Sequence, residues 1–321
     1  NRRQLITKII NFGHQSTLPL TLNNFIDFYQ IELAQIYKRN GWKRLCAEAG
    51  VIPAFNEPQE KEIIRCIQRL MQCNSISYFR FIQHLIIHKF KLNQDDEEHR
   101  LFQLMFHYDL WLNDGPAFDF KSLADSIGIL QRNPVMLGEL QEVLAILIKK
   151  VNFLEKEINL GYAFPLRLHS RYNRDEILAA LRIHKFEQKS SNREGIALNK
   201  DLNTEALFVT LKKSEKEYSP TTLYDDYAIS DYLFHWQSQN RASPENESGK
   251  VYIQQNMLGR KILIFVREQN KDEFGNTLSY VFLGEADFMK SSGAKPMNVE
   301  WKLQEPMPAY IWKESGKLAI G

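Results

Sequence analysis

Apolar residues recur at intervals of three and four through the first half of the chain, then at intervals of two in several later stretches. Those periods belong to helix and strand respectively. Residues 1 to about 160 read as helical throughout. Ile63, Ile67, Leu70 and Met71 trace one helix face, and a Ser/Asn-rich break separates them from the mostly apolar run Tyr78 to Ile87. The acidic run Asp95-Asp96-Glu97-Glu98 comes just before Leu101, Leu104, Met105, Tyr108 and Trp111. It predicts a first helical turn, where the positive end of the helix dipole favours carboxylates. Leu137, Leu140, Leu144, Leu147, Val151, Leu154 and Ile158 follow a heptad. That seam predicts a long amphipathic helix closing a bundle, or a spacer or dimer-forming helix.

Beyond Asn159 the pattern changes. HSRYNRDEILAAL, His169 to Leu181, predicts one short helix with Asn173 as N-cap and Glu176 three residues on, a capping box. Strand-like pieces follow at Gly195–Asn199, Ala206–Lys212, Asp231–Trp236, Lys261–Arg267, Ser279–Gly284 and Val299–Leu303. In the fourth, Ile262, Ile264 and Val266 alternate with Leu263 and Phe265, so both faces are apolar, and Gly275-Asn276 punctuates the loop to the next strand. The expected class is α+β: an all-α domain over 1–161, then a curved sheet or small barrel over 162–321.

Composition adds bounds. A chain of 321 residues with 44% hydrophobic content supports two domains with sizeable cores. No apolar run approaches the roughly 20 residues of a membrane span. The chain opens on Asn1 without a Met and runs straight into helix-like sequence, as a piece of something longer would. A net charge of +2 announces no polyanion partner, so a nucleic-acid surface must be local. Cys46, Cys66 and Cys73 make no metal-type pair and are odd in number, which fits a reducing cytoplasm.

Familiar nucleotide chemistry is missing from the sequence. Ser248-Gly249-Lys250 lacks the upstream glycine of a phosphate loop, and no phospholipase-type H-x-K-x-x-x-x-D signature occurs. No cofactor is called for. His84 and His88, at i and i+4, share a helix face as two metal ligands would, but spacing indicates no third. Asp287, followed by Glu300-Trp301-Lys302, has the outline of metal-dependent PD-(D/E)xK nucleases, in which carboxylates hold Mg²⁺ and a lysine assists water. Glu300 and Lys302 equally suit the wet face of an alternating strand.

The densest chemistry lies in LYDDYAISDYLFHWQSQ, Leu223 to Gln239, which mixes tyrosines, Phe234, His235 and Trp236 with Asp225, Asp226 and Asp231. A cation site would waste the rings, and a protein interface would avoid the aspartates at its centre. A buried strand with aspartates as turn caps accounts for the composition. So does a pocket for a base taken out of its duplex, which needs aromatic faces for stacking and polar groups for the base edge. Arg171, Arg174, Arg241, Lys250, Arg260 and Lys261 flank the segment and supply cations for phosphates.

HSRYNRDEILAAL, YSPTTLYDDYAISDYLFHWQSQN, ILIFVREQNKDEFGNTLSYVFLGEADF and KPMNVEWKLQEPMPAYIW together resemble a C-terminal domain catalogued without a function. It follows a phospholipase-D-like nuclease and a superfamily 2 helicase in SauUSI-type, modification-dependent type IV restriction enzymes. The resemblance spans roughly 165–313. LTLNNFIDFYQIELAQIYKRNGWKRLCAEAGV is similar to the helical segment after the helicase in such proteins. The resemblance implies an SRA-like or PUA-like domain that flips a modified, 5-methylcytosine-type base, and a helical coupler before it. The implied partners are double-stranded DNA with modified cytosine and the helicase and nuclease domains of the same polypeptide, with a homodimer open. The implied pocket is Tyr224, Asp225, Asp226, Tyr232, Trp236 and Gln237, with Phe234 beside them and Arg171, Arg241 and Lys261 on phosphates. This fragment would not itself be the enzyme. Open alternatives are the nuclease reading on Asp287, Glu300 and Lys302, and a protein-interaction module of a helicase.

Overall fold

A computed structural model describes the chain apart from residues 92, 94, 113–118, 213–225 and 320–321. It divides into two compact units, Asn1–Leu154 and Glu155–Gly321, with the division a little before the sequence-based boundary at 161/162.

The first unit is helical among its described residues. Its elements are α1 (Arg2–Gln15), α2 (Leu22–Tyr29), α3 (Leu33–Tyr37), α4 (Trp42–Glu48), α5 (Glu60–Leu70), α6 (Ile76–Ile87), α7 (Glu97–Trp111), α8 (Leu123–Gly128) and α9 (Pro134–Lys150). The acidic run starts α7 as its charge requires: the Asp96 side chain accepts from the His99 N–H, and Glu97 and Glu98 fill the first turn. From Leu101 to Trp111 every residue of α7 is buried, so it forms the centre of the unit. Within it, His107 Nδ1 lies 2.8 Å from Ser126 Oγ, and burial pushes its pKa down to about 4.

The heptad seam breaks. Helix α9 ends at Lys150, and Val151 is extended (φ −74°, ψ 123°). Leu140, Leu144 and Leu147 are buried, but Leu154 is 96% exposed. The β-branched Val151 and then Asn152 follow Lys149 and Lys150, which sit where the negative helix end favours cations; the helix stops there despite the leucine spacing.

Remote carboxylates cap several of these helices. Gly41 gives α4 no side-chain cap; instead Glu139 of α9 accepts from the Trp42 N–H (2.7 Å), the Lys43 N–H (2.8 Å) and the Tyr37 hydroxyl (2.6 Å). Burial raises the Glu139 pKa even against these donors. Asn133 likewise leaves α9 uncapped, and Glu57 accepts from Val135 and Met136 N–H at 2.7 and 2.9 Å. Glu142 takes the Leu22 N–H of α2 and the Lys43 ammonium.

The second unit is a mixed open sheet with helices. Its strands are β1 (Arg171–Tyr172), β2 (Ile196–Asn199), β3 (Thr204–Thr210), β4 (Tyr227–Ala228), β5 (Leu233–Gln237), β6 (Lys261–Arg267), β7 (Tyr280–Ser292) and β8 (Asn298–Leu303). The order is β2-β3-β6-β7-β8-β5-β4, with β1 added beside β7. Only the β3–β6 pairing is parallel among the described strands. No described pairing joins β2 to β4, so the sheet is open rather than a closed barrel. All six sequence-expected strands are present. Strand β7 runs well past the expected end at Gly284, because that glycine (φ +92°) bends the strand without ending it. A side chain there would meet Leu168 Cδ1 at 2.8 Å.

Helices α10 (Arg174–Ala180), α11 (Glu247–Ile253), α12 (Gln255–Leu258) and α13 (Ala309–Ala319) complete the unit. The capping box on α10 is formed as expected, Asn173 accepting from the Glu176 N–H and Glu176 from the Asn173 N–H. One sheet face builds a core from Leu207, Val209, Ile262, Ile264, Phe234, Trp236, Val299 and Trp301, joined by Tyr252 of α11 and Ile311 of α13. The opposite face is covered around β3, β6 and the start of β7, where Phe164, Phe208, Phe265, Phe282 and Tyr280 stack and Arg174 lies 4.1 Å over the Phe208 ring.

Gly249, in the sequence that fell short of a phosphate loop, has a packing role. A Cβ there would lie 2.0 Å from the Ser243 carbonyl oxygen and 2.5 Å from Met297 Sδ. Because the first neighbour is backbone, Gly249→Ala is expected to destabilise this unit by about 2–3 kcal/mol. Urea unfolding of the variant checks it; an unchanged midpoint contradicts the close approach.

Candidate nucleic-acid interface

Strand alternation sorts the dense segment into two faces. Phe234 and Trp236 point into the core: Phe234 is fully buried, and Trp236 packs against Tyr252 (5.2 Å between rings) and Trp301 (6.2 Å). Leu233, His235 and Gln237 point the other way, onto a part of the sheet that stays partly exposed. Trp236 is therefore a core residue, a correction to its expected place as a stacking face. Its aromatic bulk is what the interior of this sheet needs.

The exposed face carries a polar and aromatic group. Tyr227 of β4 and His235 of β5 are register partners, with rings nearly parallel at 11° and 4.4 Å apart. His235 pairs with Glu300 of β8, and Glu300 meets the Lys290 ammonium at 3.3 Å across from β7. Two register pairs along, on the same face, the Gln237 side-chain amide donates to Asn298 Oδ1 at 3.0 Å. Asp226, just before β4, is buried and accepts from the Gln237 backbone N–H at 2.9 Å, holding the start of β4 against the end of β5. Asp226, Tyr227, His235, Gln237, Asn298 and Glu300 thus converge.

The other expected pocket residues do not join them. Tyr232 is 39% exposed at the turn between β4 and β5, beside the exposed Asp231. Five residues of strand put it about 17 Å from Gln237. Tyr224 and Asp225 lie outside the described residues. Tyr227 and His235 escaped the sequence reading, although parity carried the signal: in a strand that buries Phe234 and Trp236, His235 and Gln237 must face away together.

The cations divide similarly. Arg171 is closed in a two-pronged pair with Glu268, also donates to the Ser279 carbonyl and lies over the Tyr310 ring. That corrects its expected phosphate role, because its fork is already filled. Arg260 pairs with the buried Glu205 at 3.1 Å, and Arg174 with Asn192 and the Glu194 carbonyl. Arg241 is largely exposed, 3.4 Å from Glu194, and Lys250 is exposed. Lys261 is half-buried at the start of β6, close enough to Glu285 to pull against the upward pKa shift that burial gives that carboxyl.

The acidic and basic residues of the nuclease alternative share this face. Asp287 is the register partner of Lys302 across β7 and β8, and Glu300 lies two residues along β8. His84 and His88 sit with rings 4.1 Å apart at the end of α6, and burial, with His88 and His99 nearby, lowers the His84 pKa. Among the described residues no three His, Cys, Asp or Glu side chains group as a metal site. Cys46, Cys66 and Cys73 are free and buried, and burial pushes the Cys46 thiol up to about 12. Among the described residues no helix is long and apolar enough to cross a membrane.

No curated protein matches the sequence. Residues 166–315 match the family described as a domain of unknown function, DUF3427, so most of the sheet-bearing unit, with the whole described polar face, is similar to that family.

Proposed function

We propose that the β-rich unit is the DNA-recognition module of a modification-dependent restriction enzyme, reading a flipped 5-methylcytosine-type base in an SRA-like manner. The observation that carries the reading is the parallel Tyr227–His235 ring pair set beside the Gln237–Asn298 amides and the Glu300 carboxylate. Flat rings replace the stacking that a base loses on leaving its duplex, and neighbouring amides and carboxylates address its edge. Arg241 and Lys261 are the phosphate contacts. The quoted sequence blocks support the wider setting: a cytoplasmic polypeptide that also carries helicase and nuclease domains, with the helical unit as coupler.

A methyl group in an apolar pocket is worth only about 1 kcal/mol, roughly fivefold in affinity. A larger preference requires exclusion by shape or a coupled conformational step. The test is binding of methylated and unmethylated duplexes at one stated salt concentration. Preference for the methylated duplex is expected, falling by about tenfold in affinity in Tyr227→Ala and His235→Ala as stacking is lost. Equal affinity for both duplexes sinks the reading.

The register pairing of Asp287 with Lys302, beside Glu300, favours one second reading, a Mg²⁺-dependent nuclease. It requires cleavage by this chain alone, abolished in Glu300→Ala. No cleavage with Mg²⁺ present disposes of it.

A further inference from the structure

The helical unit contains an open cleft of about 830 Å³ where the starts of α1, α4 and α5 meet. Arg2, Arg39, Arg44, Lys61 and Arg65 line it, with three carboxylates, Glu57, Glu60 and Glu62. Each carboxylate already has an assignment. Glu57 caps α9 with both oxygens, Glu60 takes the Arg44 fork, and Glu62 lies 3.5 Å from Arg65. Arg2 is held by Glu48 and Asn40. Arg39 and Lys61 are exposed at the rim and pair with no carboxylate among the described residues. The cleft therefore offers two uncommitted cations above three paired ones, with Glu57 turned to the start of α9.

Its walls also say what it does not suit. Among the described residues Ile64 and Pro58 are the large apolar side chains of its lining, too few to anchor a hydrophobic ligand or a peptide, which binds through buried apolar side chains. Cations without carboxylate partners along the rim of an open groove are the pattern that follows a phosphate backbone. Arg44 lies 4.2 Å over the Phe55 ring with its fork on Glu60, so that side of the cleft is already ordered by contacts within the unit.

We propose that this cleft binds phosphate groups, delivered by a nucleic-acid strand lying across it or by a nucleotide, with Arg39 and Lys61 as the contacting cations. The site is independent of the base reading assigned to the sheet and adds affinity without regard to sequence or methylation.

The experiment measures binding of the full chain to methylated and unmodified duplex and to single-stranded DNA across a salt series, and to ATP, for the wild type and for Arg39→Ala/Lys61→Ala. Both residues are exposed, and a thermal melt confirms that the variant is folded. For a strand, affinity falls by about tenfold at low salt and the log–log salt slope shrinks by about two. The ratio of methylated to unmethylated affinity stays unchanged, which separates this site from the sheet face. For a nucleotide, ATP binding weakens while strand affinity holds, which supports the same phosphate site with a different source. Unchanged binding of both DNA and ATP, in this variant and in Arg39→Glu/Lys61→Glu, overturns the proposal.

Discussion

Trp236→Ala is expected to destabilise the β-rich unit by about 3–5 kcal/mol, lowering its melting temperature by about 10 °C. The indole is 4% exposed and packed between Tyr252 and Trp301, so truncation leaves a cavity that a sheet and a helix on either side cannot collapse. His235→Ala, one residue away on the opposite face, is expected to move stability by less than about 1 kcal/mol. The contrast is decisive because both residues are aromatic, adjacent and plausible partners for a base. Trp236→Phe refills most of the cavity and should retain DNA binding. A Trp236→Ala variant that melts with the wild type but no longer binds DNA would return the indole to the pocket and refute the assignment of faces.

The helical unit is expected to lose about 3 kcal/mol of stability as pH falls from 6.5 to about 4, through His107 alone. Its imidazole is buried in α7, and nothing but desolvation drives its pKa down to about 4 from the ordinary 6.5. Below pH 6.5 the unfolded chain takes up a proton that the folded chain refuses, so protonation favours unfolding. The contribution is complete above 6.5 and gone by about 4. Denaturant unfolding at a series of pH values reads the slope, and His107→Gln, which can still bond to Ser126, should flatten it over that window. An equally steep slope in the variant assigns the acid sensitivity to other groups.

Much of this fold was legible in the sequence. The strand Lys261–Arg267 announces itself because Ile262 to Val266 is apolar at every position, as a strand covered on both faces must be. The Asn173 cap and the start of α7 at the acidic run were readable because helix starts are local chemistry, decided within four residues. The heptad beyond Lys150 misled because leucine spacing says nothing of what lies opposite, and Leu154 meets only solvent. The site was half legible. Composition located the segment, but the faces depend on which neighbours bury Phe234 and Trp236. Glu300, Asn298 and Lys290 reach Tyr227 and His235 only through β-register across distant strands, which no local pattern encodes. Arg171 looked available because Glu268 lies 97 residues away in sequence.

The remote caps on α2, α4 and α9 have a consequence for how the helical unit comes apart. Helix α4, of seven residues, is too short to persist alone, and its first N–H groups are satisfied by a carboxylate almost a hundred residues away. Helix α9, which carries that carboxylate, is itself started by Glu57 from the segment that follows α4. Neither end can fray without stripping a partner from the other. Amide protons along α4 and α9 should therefore exchange in one cooperative event rather than helix by helix, so that this stretch yields to strain all at once or not at all.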